Sequence, residues 1–181
     1  MRLKKEDCCA VVIDIQYRLF PHIYDFEQLE LNCARLIEGL NILEIPMIMT
    51  EQYPKGLGPT ISTLRELVRK EVRPIEKRAF SCCGEPDFIK AIEETGRKNI
   101  IIMGIETHVC VLQTVLDLVE RGYHPVLVGN CVSSRKKTDR DFAIERIRSE
   151  GAIVTTYESL LFELLESSEA AEFKAISNLV K

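Results

Sequence analysis

Cys110 stands where a continuous apolar run, Asn99-Ile-Ile-Ile-Met-Gly104, gives way to an amphipathic one made of Cys110, Val111, Leu112, Thr114, Val115, Leu118 and Val119. That change of period reads as a strand turning directly into a helix, with a thiol in the helix's first turn. The first N–H groups of a helix lack internal partners and sit at the positive end of its dipole. Such a position favours a thiolate, and its N–H groups suit an oxyanion formed when sulfur attacks a carbonyl. Two further residues complement the thiol. Asp14 interrupts the apolar run Val11-Val-Ile-Asp-Ile15, and Lys77 ends a short strand ahead of Phe80-Ser81. A carboxylate inside an apolar run is costly unless it has partners. Asp14 could take the thiol proton and later give it to a leaving amine. Lys77 could keep both Asp14 and the sulfur ionised, and Cys110 would form a thioester. Taken singly, each has a plain structural reading: a packed cysteine, an aspartate at a turn, a surface lysine. Three complementary groups, each at a strand end, read together as a site.

His108 is two residues from Cys110, and residues at i and i+2 do not share a helix face. It is expected at a pocket mouth or toward solvent, not as the base. Cys82 and Cys83 are rival thiols near Lys77, with nothing that places them at a helix start. They rank as structural.

The elements that must hold these residues alternate. Strands are expected at Cys8–Ile15, Pro46–Thr50, weakly at Arg73–Lys77, then at Ile100–Met103, His124–Gly129 and Ala152–Thr156. Helices are expected at Phe26–Leu43, Ile61–Val68, Asp87–Thr95 with Gly96 as its stop, about Thr107–Arg121, Asp139–Ser149, and near Ser159–Leu165 and Ala170–Val180. Glu51–Pro59 reads as a loop broken by Pro54, Gly56, Gly58 and Pro59. Strand–helix alternation implies an α/β fold, a doubly wound parallel sheet of about six strands covered on both faces. In such folds working groups gather outside the carboxyl ends of the strands, where strand order reverses. By that rule Gln16, Tyr17, Phe20, Tyr53, Phe80, Glu106 and His108 are candidate pocket residues. Their aromatic share points to a small planar or partly apolar amide, with ordinary core packing as the alternative for each ring.

The 181 residues fit one domain, 1–181, with enough chain for a proper core. A net charge of −4 argues against a sequence-independent grip on nucleic acid, and Arg135-Lys136-Lys137 is short and followed by Asp139 and Asp141. No apolar run nears the roughly 20 residues that span a bilayer. The charged start does not read as a secretory signal. Seven cysteines without such a signal point to reduced thiols in the cytoplasm. Only three histidines exist, and the two Cys-Cys pairs lack zinc-site spacing, so no metal centre and no cofactor is expected.

Several stretches together resemble the isochorismatase-like cysteine hydrolase superfamily, and within it the isochorismatase-domain-containing subgroup. They are Val11-Val-Ile-Asp-Ile-Gln16, Thr50-Glu-Gln-Tyr-Pro-Lys-Gly-Leu-Gly-Pro59, Glu76-Lys77 with Phe80-Ser81, Gly104-Ile-Glu-Thr-His-Val-Cys110 and Leu116-Asp-Leu-Val-Glu-Arg-Gly122. Ser133-Ser-Arg135, Asp139-Arg140, Arg146 and Gly151-Ala-Ile-Val-Thr-Thr156 extend the match along the chain. The resemblance implies a three-layer α/β/α fold, an Asp14–Lys77–Cys110 triad and a homo-oligomer. It also implies a cis peptide at Ile105–Glu106 that aims the N–H of Glu106, with that of Cys110, at the oxyanion. True isochorismatases cleave a vinyl ether without the cysteine, so Cys110 points to the amidase-like branch. The family's nicotinamidases carry an Asp-x-His metal motif after the second strand, where this chain has Thr50-Glu-Gln-Tyr-Pro. Some relatives are labelled ribonucleases, which the missing basic groove does not support. The expected activity is cleavage of a C–N bond in a small molecule. Two alternatives stand: a catalytically silent scaffold of the same fold, and a redox-active thiol protein with Cys131 or Cys83 as partner to Cys110.

Overall fold

The apolar run at the start of the chain forms β1, Cys8–Ile13, and every residue in it is buried. A computed structural model describes residues 2–181. Because side chains alternate along a strand, Cys8, Ala10 and Val12 enter one hydrophobic core while Cys9, Val11 and Ile13 enter the other. β4, Asn99–Ile105, divides in the same way, Ile101, Met103 and Ile105 against Ile100 and Ile102. Strands buried on both faces belong to the middle of a parallel sheet, and these two lie side by side. With β2 (Met47–Gln52), β3 (Ile75–Lys77), β5 (His124–Ser133) and β6 (Ile153–Thr155) they make a six-stranded parallel sheet in the order β3-β2-β1-β4-β5-β6.

Helices cover both faces. α1 (Phe26–Ile42) buries Leu29, Cys33, Leu36, Ile37 and Leu40, a stripe at helical spacing. It shares the first core with α7 (Tyr157–Leu165), α8 (Phe173–Leu179) and Leu64 of the one-turn α3 (Ser62–Arg65). The second core takes Phe88 and Ile92 of α4 (Pro86–Thr95), Val115 and Leu118 of α5 (Leu112–Glu120), and Ile147 of α6 (Lys137–Ser149). Another single turn, α2 (Pro54–Leu57), follows β2. α4 opens with Pro86 in its first turn and stops at Gly96, whose φ of 66° suits a residue without Cβ.

The sequence reading errs mainly at ends. β1 stops at Ile13, not Ile15, because Asp14 turns into the left-handed region at φ 51°. β2 runs on to Gln52, and α2 occupies part of the expected loop. The helix expected over Ile61–Val68 shortens to one turn. β5 continues to Ser133, its pairing with β4 shifting register between Ile102 and Gly104. The expected helix from Thr107 begins as a π-helical turn, Thr107–Val111, before α5. Among the described residues no helix is long and apolar enough to cross a membrane.

Candidate active site

Strand order reverses between β1 and β4, and the crevice beyond their carboxyl ends is where a doubly wound fold places its chemistry. Asp14 follows β1 directly. Glu106 follows β4 across a cis peptide from Ile105, and the π-helical turn then carries Cys110. Such wide turns recur at functional sites. Val109 N and Val111 N both donate to Glu106 O, at 3.1 and 3.2 Å, which ties the turn to the strand end. Lys77 lies farther off, at the end of the edge strand β3, in register with Gln52 of β2. Only a long side chain can cross β2 from there, and Lys77 does so.

Lys77 Nζ sits 2.7 Å from Asp14 Oδ2, with the two side chains 0% and 1% exposed. A buried ion pair repays its desolvation only with further hydrogen bonds, and both ends have them. Thr50 Oγ1 donates to Asp14 Oδ1 at 2.7 Å. Lys77 Nζ donates to Gln52 Oε1 at 2.6 Å, Phe80 O at 2.8 Å and Ala79 O at 3.2 Å. Apart from the ion contact, no hydrogen-bond donor meets Oδ2 among the described residues.

Burial and Lys77 pull the Asp14 carboxyl in opposite directions. Burial wins and raises it above the usual carboxylate range. Burial works against the Lys77 ammonium too, but Asp14, then Cys110 and Cys82, hold its pKa above that of an ordinary lysine. Burial pushes the Cys110 thiol up to about 12, Asp14 adding to the rise and Lys77 opposing it. This corrects the expectation of a resting thiolate. The position at the helix start does not outweigh desolvation and a neighbouring carboxylate, so Cys110 rests as a thiol and needs a base to react.

Asp14 and Cys110 open onto a cavity of about 270 Å³ whose walls include Leu19, Gln52, Leu57, Phe80, Ile105, Glu106, Val109 and Arg135. The structure thus brings together Asp14, Lys77, Cys110, Glu106 and Phe80. The other expected pocket residues lie elsewhere. Gln16 is buried as a latch: its amide accepts from Gln52 N at 2.8 Å and donates to Gln52 O at 2.9 Å and Gly58 O at 2.7 Å. Phe20 is a core residue, edge-on to Phe26 with ring centroids 5.6 Å apart. Tyr17 is 70% exposed and outside the lining. Tyr53, also outside it, carries the Arg78 guanidinium 4.1 Å above its ring. His108 turns to Ser134 Oγ, 2.9 Å from its Nδ1, and borders a separate surface hollow with Asp139 and Phe142. Being a residue just after a strand end does not fix which way a side chain points.

Gln52 and Arg135 were missed although both stand at or just past strand ends. Carrying β2 and β5 to their true ends would have found them. Arg135 clamps Glu106, its N donating to Oε2 at 2.9 Å and its Nε lying 3.2 and 3.1 Å from Oε1 and Oε2. The thiol nearest the site is neither Cys131 nor Cys83. Cys131 belongs to the other core, against Cys33. Cys82 Sγ lies 3.8 Å from Thr50 Oγ1, and Cys82 N donates to Thr114 Oγ1, which donates to Cys110 O. Among the described residues no three His, Cys, Asp or Glu side chains converge as a metal cluster.

Comparison with known proteins agrees with this architecture. The Isochorismatase domain family matches residues 8–159. Isochorismatase domain-containing protein 1 of Danio rerio is 41% identical over 175 residues, which cover 96% of this chain; the chain spans 59% of that relative's length. A MAR1 ribonuclease from Caenorhabditis elegans superposes with a TM-score of 0.94 at 39% identity, over 99% of this chain and 92% of that one. YcaC from Pseudomonas aeruginosa, seen with covalent acrylamide and hexane-2,5-diol, superposes with a TM-score of 0.89 at 26% identity, over 99% and 95%. A family match across most of the chain, on a six-stranded parallel sheet with helices on both faces, places this protein in the isochorismatase family of hydrolase-like domains.

Proposed function

We propose that this protein is a cysteine hydrolase that cleaves the C–N bond of a small amide through a thioester on Cys110. The observation that carries the reading is the buried contact of 2.7 Å between Lys77 and Asp14, which shares the wall of one cavity with Cys110. A thiol pushed up to about 12 reacts only if something removes its proton. The Asp14 carboxyl, its own proton affinity raised by burial, suits that task.

In the first half-reaction the Cys110 proton passes to Asp14 as sulfur bonds to the carbonyl carbon. The resulting oxyanion is held by the N–H groups of Glu106 and Cys110. Collapse breaks the C–N bond, and Asp14 hands its proton to the departing amine. Water then attacks the thioester and gives a proton to Asp14. The acid leaves, and Asp14 returns that proton to the sulfur. Lys77 stays an ammonium throughout and offsets the negative charge that moves between carboxylate and sulfur. The covalent acrylamide on the Pseudomonas aeruginosa relative requires a nucleophilic side chain in that protein, and Cys110 is the group we assign to that role here. The apolar wall of Leu19, Leu57, Phe80, Ile105 and Val109 suits a compact, partly apolar substrate.

Seven free thiols fit a reducing compartment such as the cytoplasm. A homo-oligomer, implied by the resemblance, is tested by light scattering.

The deciding experiment is a panel of small primary amides assayed for ammonia release, with Cys110→Ala as blank and RNA as a parallel substrate. Ammonia release that disappears in Cys110→Ala, together with an acyl adduct on Cys110 by mass spectrometry, supports the reading. RNA cleavage that survives Cys110→Ala, or no turnover of any amide, overturns it in favour of a ribonuclease or a silent scaffold.

A further inference from the structure

Gln52 closes a ring of hydrogen bonds around the Asp14–Lys77 pair. An ammonium has three hydrogens, and Lys77 Nζ has four oxygens within 3.2 Å: Asp14 Oδ2, Gln52 Oε1, Phe80 O and Ala79 O. Two are carbonyls of the segment that follows Lys77. The other two are side chains from the ends of β1 and β2, and they draw the ammonium across the sheet. The Gln52 amide is itself fixed, for Nε2 donates to Arg78 O at 2.9 Å and leaves Oε1 facing Nζ. Its backbone is held on both sides by the Gln16 amide. Gln16 N in turn donates to Asp14 O at 2.8 Å. The chain of contacts therefore runs from Asp14 through Gln16, Gln52 and Lys77 back to Asp14.

We propose that Gln52 is a positioning residue: locked by Gln16, it steers the Lys77 ammonium onto Asp14 Oδ2 and so sets the pH range over which Asp14 draws the proton from Cys110. The inference rests on Cys110 being the nucleophile. The titratable groups facing Lys77 are Asp14, Cys82 and Cys110. The charges nearby are otherwise committed, Arg78 over Tyr53, Glu85 to the N–H groups of Arg78 and Ala79, Glu106 to Arg135, and Glu51 to Thr60. A change at Gln52 is therefore felt by the triad itself.

The test is the pH dependence of Cys110 alkylation by iodoacetamide, read by peptide mass spectrometry on the full chain, alongside thermal melting. Gln52→Glu keeps the length of the side chain, gives up the donor to Arg78 O and adds a carboxylate that competes for the ammonium. It moves the rising limb of the profile upward by about 1 pH unit or more. Gln52→Leu moves it the same way by less. Gln16→Leu shifts it in that direction too, and adding Gln16→Leu to Gln52→Leu adds nothing, because Gln16 acts through Gln52. An unmoved profile in Gln52→Glu with a lowered melting temperature would reduce Gln52 to a structural residue and overturn the proposal. Additive shifts in the double variant overturn the link to Gln16. If wild-type Cys110 reacts no faster than the other thiols, the nucleophile reading itself fails, and this inference with it.

Discussion

Gly104 runs so close to Ile13 that a Cβ at position 104 would collide with the Ile13 carbonyl oxygen and stand 2.8 Å from Ile13 Cα. The two residues are register partners across β1 and β4, and Gly104 holds φ at 138°, where side chains are strained. Asp14 comes directly after Ile13 at the end of β1, and Ile105 and Glu106 follow Gly104 at the end of β4. This contact therefore sets the distance between the two halves of the site. Gly104→Ala is expected to cost about 2–4 kcal/mol through overpacking and backbone strain. Urea melting reads the loss, and a wild-type midpoint would refute this account.

The buried pair predicts that single and double changes do not add. Lys77→Met leaves the Asp14 carboxyl without its compensating charge, and Asp14→Asn leaves the ammonium unpaired. Removing one partner of a buried pair costs about 3–5 kcal/mol. Asp14→Asn combined with Lys77→Met removes both charges, so its loss should be clearly smaller than the sum of the two singles. Additive losses in a double-mutant cycle would mean that the 2.7 Å contact carries no coupling.

Stability should fall on the alkaline side. Burial pushes the Cys82 thiol from 9.0 up to about 12 in the folded chain, and Cys9 and Cys110 move likewise. A group whose pKa is raised by folding contributes in full below its unfolded value and loses that contribution as pH rises toward the folded one. Above about pH 9 the unfolded chain sheds thiol protons that the folded chain keeps, so the slope of unfolding free energy against pH is negative there. The urea midpoint is expected to drop between about pH 8 and about pH 11, and Cys82→Ala to flatten the drop. A flat wild-type profile would contradict the burial assigned to these thiols.

How far the sequence alone carried this picture depends on the kind of signal. β1 and β4 were plain because strands buried on both faces leave unbroken apolar runs, and strand–helix alternation dictated the parallel sheet. Asp14, Lys77 and Cys110 stand out as candidates because each is chemically out of place beside an apolar strand end. Gln16 was read as a pocket wall because its type and position fit one. What makes it a latch is the Gly58 carbonyl, brought to it by a loop folded back from 42 residues along the chain. The ionisation of Cys110 was misread for a similar reason. The helix start is a local feature, whereas the burial and the Asp14 carboxylate that dominate it arrive from across the sheet.

Labelling offers a direct check on the proton acceptor. Cys110 lines the cavity, whereas none of the other six cysteines does, Cys82 lying behind it against Thr50. Iodoacetamide at neutral pH should modify Cys110 first. Removing the Asp14 charge by itself eases the Cys110 thiol downward, but loss of the proton acceptor should outweigh that, so Asp14→Asn should slow the modification by about 10-fold or more. Unchanged labelling in Asp14→Asn would show that another group, or water alone, accepts the proton.

Two phenylalanines, both candidates for the pocket by position, should respond in opposite ways. Phe20 is buried edge-on against Phe26 in the first core, so Phe20→Ala should cost about 3–5 kcal/mol of stability. Once corrected for the folded fraction, it should leave Cys110 labelling at the wild-type rate. Phe80 is 55% exposed on the cavity wall, where truncation removes little packing and should change stability by no more than about 0.5 kcal/mol. Its loss instead widens the mouth above Cys110, and KM for any amide found to turn over should rise while the fold is unaffected. Paired urea melts and labelling rates separate the two. A Phe80→Ala variant that unfolds easily beside a robust Phe20→Ala would reverse the assignment of wall and core.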